Sequence, residues 1–106
     1  MKSDAALACL SALGHETRLA AFRALVTAGP AGLPVGELRE RLGVPPATMT
    51  AHLNILRAAG LVADRRDGRL IHVSADFDRM NALIGYLTEN CCQGAACAPA
   101  AGRCTP

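Results

Sequence analysis

The sequence predicts a mainly α fold with a small β-hairpin. Apolar residues recur at helical spacing in five segments, Gly and Pro fall between those segments, and an Asp-Gly pair divides the one stretch that reads as two short strands. Composition agrees. Of the 106 residues, 51% are hydrophobic but only 3% aromatic, so the core must be built from Leu, Ala, Val and Ile, which favours packed helices over a β-sandwich. The length suits one compact domain, since domains usually run to roughly 100–150 residues.

The first helix, Asp4 to Leu13, carries Leu7, Leu10 and Leu13 at helical spacing before Gly14 interrupts it. A second starts near His15-Glu16 and continues through Val26, with Leu19, Phe22 and Val26 on one face and Gly29-Pro30 as its stop. After the loop Gly29 to Pro34, a third spans Val35 to Leu42. There Pro34 suits the first turn and Gly43 the C-terminal end. The turn Gly43-Val44-Pro45 leads into a fourth helix, Pro46 to Ala59, whose buried stripe is Met49, Leu53 and Leu56 and whose stop is Gly60. Two short helices joined by a tight Gly-containing turn make a helix-turn-helix.

Leu61 to Arg66 and Arg69 to Val73 read as strands around Asp67-Gly68, residues that tolerate the positive φ of a two-residue hairpin turn. This hairpin is a wing, and the fold class is a winged helix-turn-helix. A last helix, Asp76 to Asn90, places Phe77, Met80, Leu83, Ile84 and Leu87 on one face, with Ser74 and Asp76 as capping candidates. There is no internal repeat.

No run of about 18 apolar residues is present to span a bilayer, and Met1-Lys2-Ser3-Asp4 does not open a signal peptide. The expected location is the cytoplasm, with no membrane partner. In that reducing compartment five cysteines do not read as a disulfide framework, and four of them, Cys91, Cys92, Cys97 and Cys104, crowd into the C-terminal segment. Such clustering points to metal or metalloid ligation, or to redox chemistry. A three-thiolate pyramid suits trivalent arsenic or antimony, and a four-thiolate tetrahedron suits zinc or cadmium. Vicinal thiols can also oxidise as a switch. Cys9, in the first helix among leucines, reads as a small packing hydrophobe.

Two stretches carry a family likeness. Leu13-Gly14-His15-Glu16-Thr17-Arg18-Leu19, and His52-Leu53-Asn54-Ile55-Leu56-Arg57-Ala58-Ala59-Gly60-Leu61-Val62 followed by a basic Asp-Gly hairpin, resemble the ArsR/SmtB family of metal-responsive repressors. The likeness covers roughly Leu7 to Leu87 and implies a homodimer that binds double-stranded operator DNA. Its usual sensing sites are missing. The third helix, Val35 to Leu42, has no Cys-Val-Cys-type arsenite motif, and Asp76 to Asn90 has no histidine for a zinc site. What remains resembles the branch with arsenite ligands at the end of the last helix, which implies Cys91, Cys92 and Cys97 as ligands and Cys104 as the reserve. Arsenite is the expected inducer and antimonite the second candidate, with no organic cofactor.

The residues support a DNA reading in their own right. A net charge of +2 is too small to force it, so the local distribution has to carry the argument. A helix fits the major groove, and the fourth helix offers Ala47, Thr48, Thr50, Ala51 and Asn54 opposite its apolar stripe, small or hydrogen-bonding groups able to approach base edges. Arg57 and the wing arginines Arg65, Arg66 and Arg69 are placed for phosphates or the adjacent minor groove. The same three wing charges could instead protect an exposed hairpin edge. Two roles are open to His52, a DNA contact or a structural histidine bonded within the fold, and Arg18 reads as an ion-pair anchor.

Residues 1–90 are thus expected to form a DNA-binding and dimerisation domain, with the first and last helices joining two copies. Residues 91–106 are expected to form a flexible cysteine-rich metalloid-binding tail. No phosphate-type loop surrounds any cysteine and no Ser/His/Asp or paired-carboxylate set is evident, so the sequence reads as non-enzymatic.

Overall fold

The computed structural model describes residues 1–91. The element order is α1 (Ser3–Leu13), α2 (Glu16–Ala28), β1 (Leu33–Pro34), α3 (Val35–Leu42), α4 (Pro46–Ala58), β2 (Val62–Asp67), β3 (Leu70–Ala75) and α5 (Phe77–Leu87). The strands form an antiparallel sheet in the order β1-β3-β2. This is the expected winged helix-turn-helix, with one strand added and one helix shortened.

The added strand is β1, which lies inside the segment expected to be a plain loop. Gly32 brings it close to β3. Its φ is +70°, and a Cβ there would overlap the Val73 carbonyl oxygen, so only glycine lets Leu33 and Pro34 pair with Val73 and His72. Pro34 lacks an amide hydrogen and fits because β1 is an edge strand. The wing turn is also displaced by one residue. Asp67 pairs with Leu70, so the loop residues are Gly68 and Arg69, and Gly68 alone has positive φ, as in a type II′ turn.

The core gathers Leu25, Leu38, Met49, Leu53, Leu56, Leu61 and Val73, all fully buried. Helix α4 contributes its expected stripe of Met49, Leu53 and Leu56. Helix α1 packs Leu13 partly against the core but does not present Leu7 and Leu10 inward. Ala6, Cys9 and Ala12 are its buried residues, while Leu7 and Leu10 are 62% and 42% exposed. Small side chains let α1 approach α2, α4 and α5 closely. The thiol of Cys9 is fully buried and lies 3.5 Å from the Ala59 carbonyl oxygen, as its packing role requires.

In α2 the buried residues are Ala21, Phe22 and Leu25, and Leu19 is exposed, so the inward face is rotated from the one expected. Helix α5 ends at Leu87, capped by Thr88, and not at Asn90. Asp76 is its N-cap, accepting a hydrogen bond from the Arg79 amide at 2.9 Å, while Ser74 belongs to β3. Of the apolar face expected on α5, Leu83 is buried and Phe77 and Met80 are half-buried, but Ile84 and Leu87 point outward. Among the described residues no helix is long and apolar enough to cross a membrane.

Candidate nucleic-acid interface

Helix α3, a three-residue turn and α4 form the helix-turn-helix. Gly43 ends α3 in the left-handed conformation, and Pro45 and Pro46 start α4, so the turn is fixed by residues that cannot continue one helix and suit the first turn of the next. Leu56 and Leu61 lock the far end, where the Leu61 amide donates to the Leu56 carbonyl oxygen at 3.1 Å. With Met49, Leu53 and Leu56 buried, α4 leaves Ala47, Thr48, Thr50, Ala51 and Asn54 exposed, as its sequence pattern implied. The Thr50 hydroxyl donates back to the Pro46 carbonyl oxygen at 3.0 Å.

The wing arginines are all exposed but do not form one patch. Arg65 pairs across the hairpin with His72 and Arg66 with Ile71, so the two project from opposite faces, while Arg69 occupies the turn. A cleft of about 410 Å³ joins α3, α4 and the wing, lined by Pro34 and Val35 at the start of α3, Thr50, Leu53 and Arg57 of α4, and Arg69. Three of the residues singled out from sequence, Thr50, Arg57 and Arg69, therefore meet around one groove although they come from separate segments.

Arg57, at that groove, and His52, away from it, are each held by contacts within the fold. Arg57 donates through Nε to Asp64 Oδ1 at 3.1 Å and through Nη1 to Asn54 Oδ1 at 2.9 Å, which ties the end of α4 to strand β2. Asp64 was not singled out from sequence; the signal was an acid seven residues beyond Arg57, just past the Gly60 stop. His52 sits half-buried against α2. Its Nδ1 lies 3.2 Å from Arg18 Nη1, and its ring centroid is 4.6 Å from that of His15, whose Nδ1 caps α2 by accepting from the Thr17 amide. Burial first, and then the neighbouring His15 and Arg18, push the His52 pKa below the usual histidine value. Arg18 anchors the fold, though not by an ion pair: its Nε donates to the Ala12 carbonyl oxygen at 2.7 Å.

Cys91 is the one proposed ligand among the described residues. It follows α5 in a short 3₁₀ turn, its amide donating to the Thr88 carbonyl oxygen at 3.0 Å, and its sulfur is disulfide-bonded. Cys92, Cys97 and Cys104 lie outside the described residues. Within those residues no three His, Cys, Asp or Glu side chains converge to hold a metal ion.

Comparison with known proteins adds to this geometry. A family described as "Helix-turn-helix domain" matches residues 13–65. The chain is 38% identical over 77 residues to YceK of Bacillus subtilis (strain 168), an HTH-type transcriptional regulator, covering 72% of this chain and 76% of that one. The solved structure of an ArsR-like transcriptional regulator from Rhodococcus sp. RHA1 superposes with a TM-score of 0.70 at 31% identity, covering 79% of this chain and 76% of the other. The chain belongs to the ArsR family. It is 32% identical over 87 residues to the nodulation protein NolR of Rhizobium meliloti, covering 82% of this chain and 69% of NolR. As an ArsR-family regulator it binds DNA through its helix-turn-helix, and its relatives are transcriptional regulators rather than enzymes.

Proposed function

We propose that this ArsR-family protein is a cytoplasmic repressor that binds operator DNA as a homodimer and releases it when arsenite, or antimonite, is captured by Cys91, Cys92 and Cys97, with Cys104 in reserve. The observation that carries the reading is where Cys91 stands. It follows directly on α5, the helix whose Ile84 and Leu87 stay exposed beside an α1 with Leu7 and Leu10 exposed. Apolar side chains left in water on two packed helices suit a self-complementary two-fold interface.

Such a dimer aims two α4 helices at successive major grooves, about 34–36 Å apart. Thiolate capture of a trivalent metalloid restrains the end of α5, shifts the interface and so alters the spacing of the two helices. A coupling of about 1–3 kcal/mol between the sites, typical of allosteric proteins, releases operator several-fold to a hundredfold. The Cys91 disulfide must be reduced before its thiolate can ligate.

That disulfide favours a second reading, a redox-responsive repressor of the same fold. A four-thiolate zinc or cadmium site is the remaining alternative. Operator-binding anisotropy separates the three. Reduced protein, wild type and a Cys91→Ser/Cys92→Ser double variant, is titrated with arsenite, zinc and cadmium, and with peroxide in a parallel series. Release by arsenite in the wild type alone supports the proposal. Release by zinc or cadmium alone, or by peroxide alone, replaces it with the corresponding alternative.

A further inference from the structure

We propose that Asp64, on the wing, sets the reading polarity of the recognition helix by holding Arg57 against Asn54, so that Asn54 turns its amide N–H groups and not its oxygen toward the groove. The inference rests on α4 being the helix that enters the groove. A guanidinium carries five N–H donors and no acceptor. Only the Oδ1 atom of Asn54 can therefore face Arg57 Nη1, 2.9 Å away, and the orientation of the amide follows from chemistry. Arg57 is a long side chain that would otherwise swing free. Asp64 pins it, accepting from Nε at 3.1 Å.

The consequence is a change in what Asn54 can recognise. A free asparagine reads adenine with both ends of its amide, accepting from N6 and donating to N7. With Oδ1 turned to Arg57 and one of its two lone pairs taken, that two-ended contact is weakened and the two N–H donors lead, which suit guanine O6 and N7 or thymine O4. Thr50, one helical turn earlier, has the opposite polarity. Its hydroxyl proton is donated to the Pro46 carbonyl oxygen, so its exposed oxygen accepts, as from an adenine or cytosine amine. The exposed face of α4 thus presents an acceptor at Thr50 and a donor at Asn54, and the donor is fixed from outside the helix by a wing carboxylate.

The test is selection of duplexes from a random pool at one salt concentration, using the full chain as wild type, Asp64→Ala, Asn54→Ala and Asn54→Asp. The wild type is expected to enrich guanine or thymine at one position of each half-site. Asn54→Asp, which only accepts, inverts that position toward cytosine or adenine. Asp64→Ala admits adenine there and lowers discrimination about tenfold, within the range of one bidentate base contact, with the other positions unchanged. A change in affinity that is uniform over all sequences shows that Asp64 matters only as a charge near DNA, and overturns the proposal. So does an unaltered preference in Asp64→Ala when Asn54→Ala loses it. If Asn54→Ala itself changes neither affinity nor preference, the placement of this α4 face in the groove fails instead. Thermal melts of each variant separate these outcomes from loss of folding.

Discussion

Helix α4 buries Met49, Leu53 and Leu56 at 1% exposure or less and leaves mostly small and polar groups outside, with Ile55 the exposed exception, whereas α5 buries Leu83 and leaves Ile84 and Leu87 more than half exposed. Helix α1 resembles α5, with its alanines and cysteine inside and Leu7 and Leu10 outside. The reading half of the molecule therefore buries most of its apolar surface among the described residues, with Ile55 on α4 and Leu70 on the wing as its exposed large apolar side chains. The α1–α5 half leaves Leu7, Leu10, Ile84 and Leu87 exposed, the surface that a second copy would cover in the proposed homodimer. A substitution in the first half should act on the stability of one chain, and a substitution in the second on association.

The largest effect is expected at the unfinished half. Ile84→Glu places a charge on the exposed face of α5, and a two-fold interface counts it twice. Losing two Ile side chains at about 2 kcal/mol each raises the dimer dissociation constant roughly a thousandfold. A dilution series in sedimentation velocity measures this, and an unchanged dissociation constant would place the interface elsewhere. Leu53→Ala, by contrast, opens a cavity in a finished core and should lower unfolding free energy by about 2–5 kcal/mol. The loss in urea unfolding should be the same at low and high protein concentration, which separates it from an interface effect.

Gly32→Ala tests the added strand. The left-handed backbone alone costs a non-glycine residue roughly 1–2 kcal/mol, and the Cβ must also displace the Val73 carbonyl. A loss of about 2 kcal/mol is expected, together with faster amide exchange in β3. Retention of wild-type stability would mean that β1 is dispensable.

The smallest effect belongs to His52. Its folded pKa lies below the ordinary value of 6.5, so as the pH falls the unfolded chain takes up the proton first. The neutral histidine's share of stability is present above about pH 6.5 and is lost as pH falls from there toward the folded pKa. Urea midpoints near pH 7.5 and 5.5 should fall further for wild type than for His52→Gln, which keeps an acceptor for Arg18. Equal falls would remove His52 as the titrating group.

How far the sequence foretold these features follows the same division. Helices α3 and α4 were legible because Gly43, Pro45 and Gly60 mark their ends and because the α4 stripe is a single set of large apolar residues. Helix α1 was legible as a helix from the spacing of Leu7 and Leu10, but which residues turn inward was not, since only the packing of three neighbouring helices selects Ala6, Cys9 and Ala12. The apolar face of α5 was legible, but not its division into a buried Leu83 and an Ile84 and Leu87 that stay exposed among the described residues. Strand β1 is two residues long and holds a proline, too little for any period to show. The exposed positions of α4 were legible from their spacing, but the bonds that orient them were not. The Asp64–Arg57–Asn54 chain joins a strand to a helix, and neither hydrophobic pattern nor capping rules encode it. Of the four cysteines expected in the tail, Cys92, Cys97 and Cys104 lie outside the described residues.

The sealed thiol of Cys9 has one further consequence. Burial pushes its pKa up, against a smaller opposing pull from Arg79, so it is poor in thiolate as well as closed to solvent. An alkylating reagent reaches this sulfur only when α1 lifts away from Ala59 at the end of α4. With the tail cysteines replaced, the rate of labelling at Cys9 becomes a clock for the opening of the domain, carried in the native sequence with no dye attached.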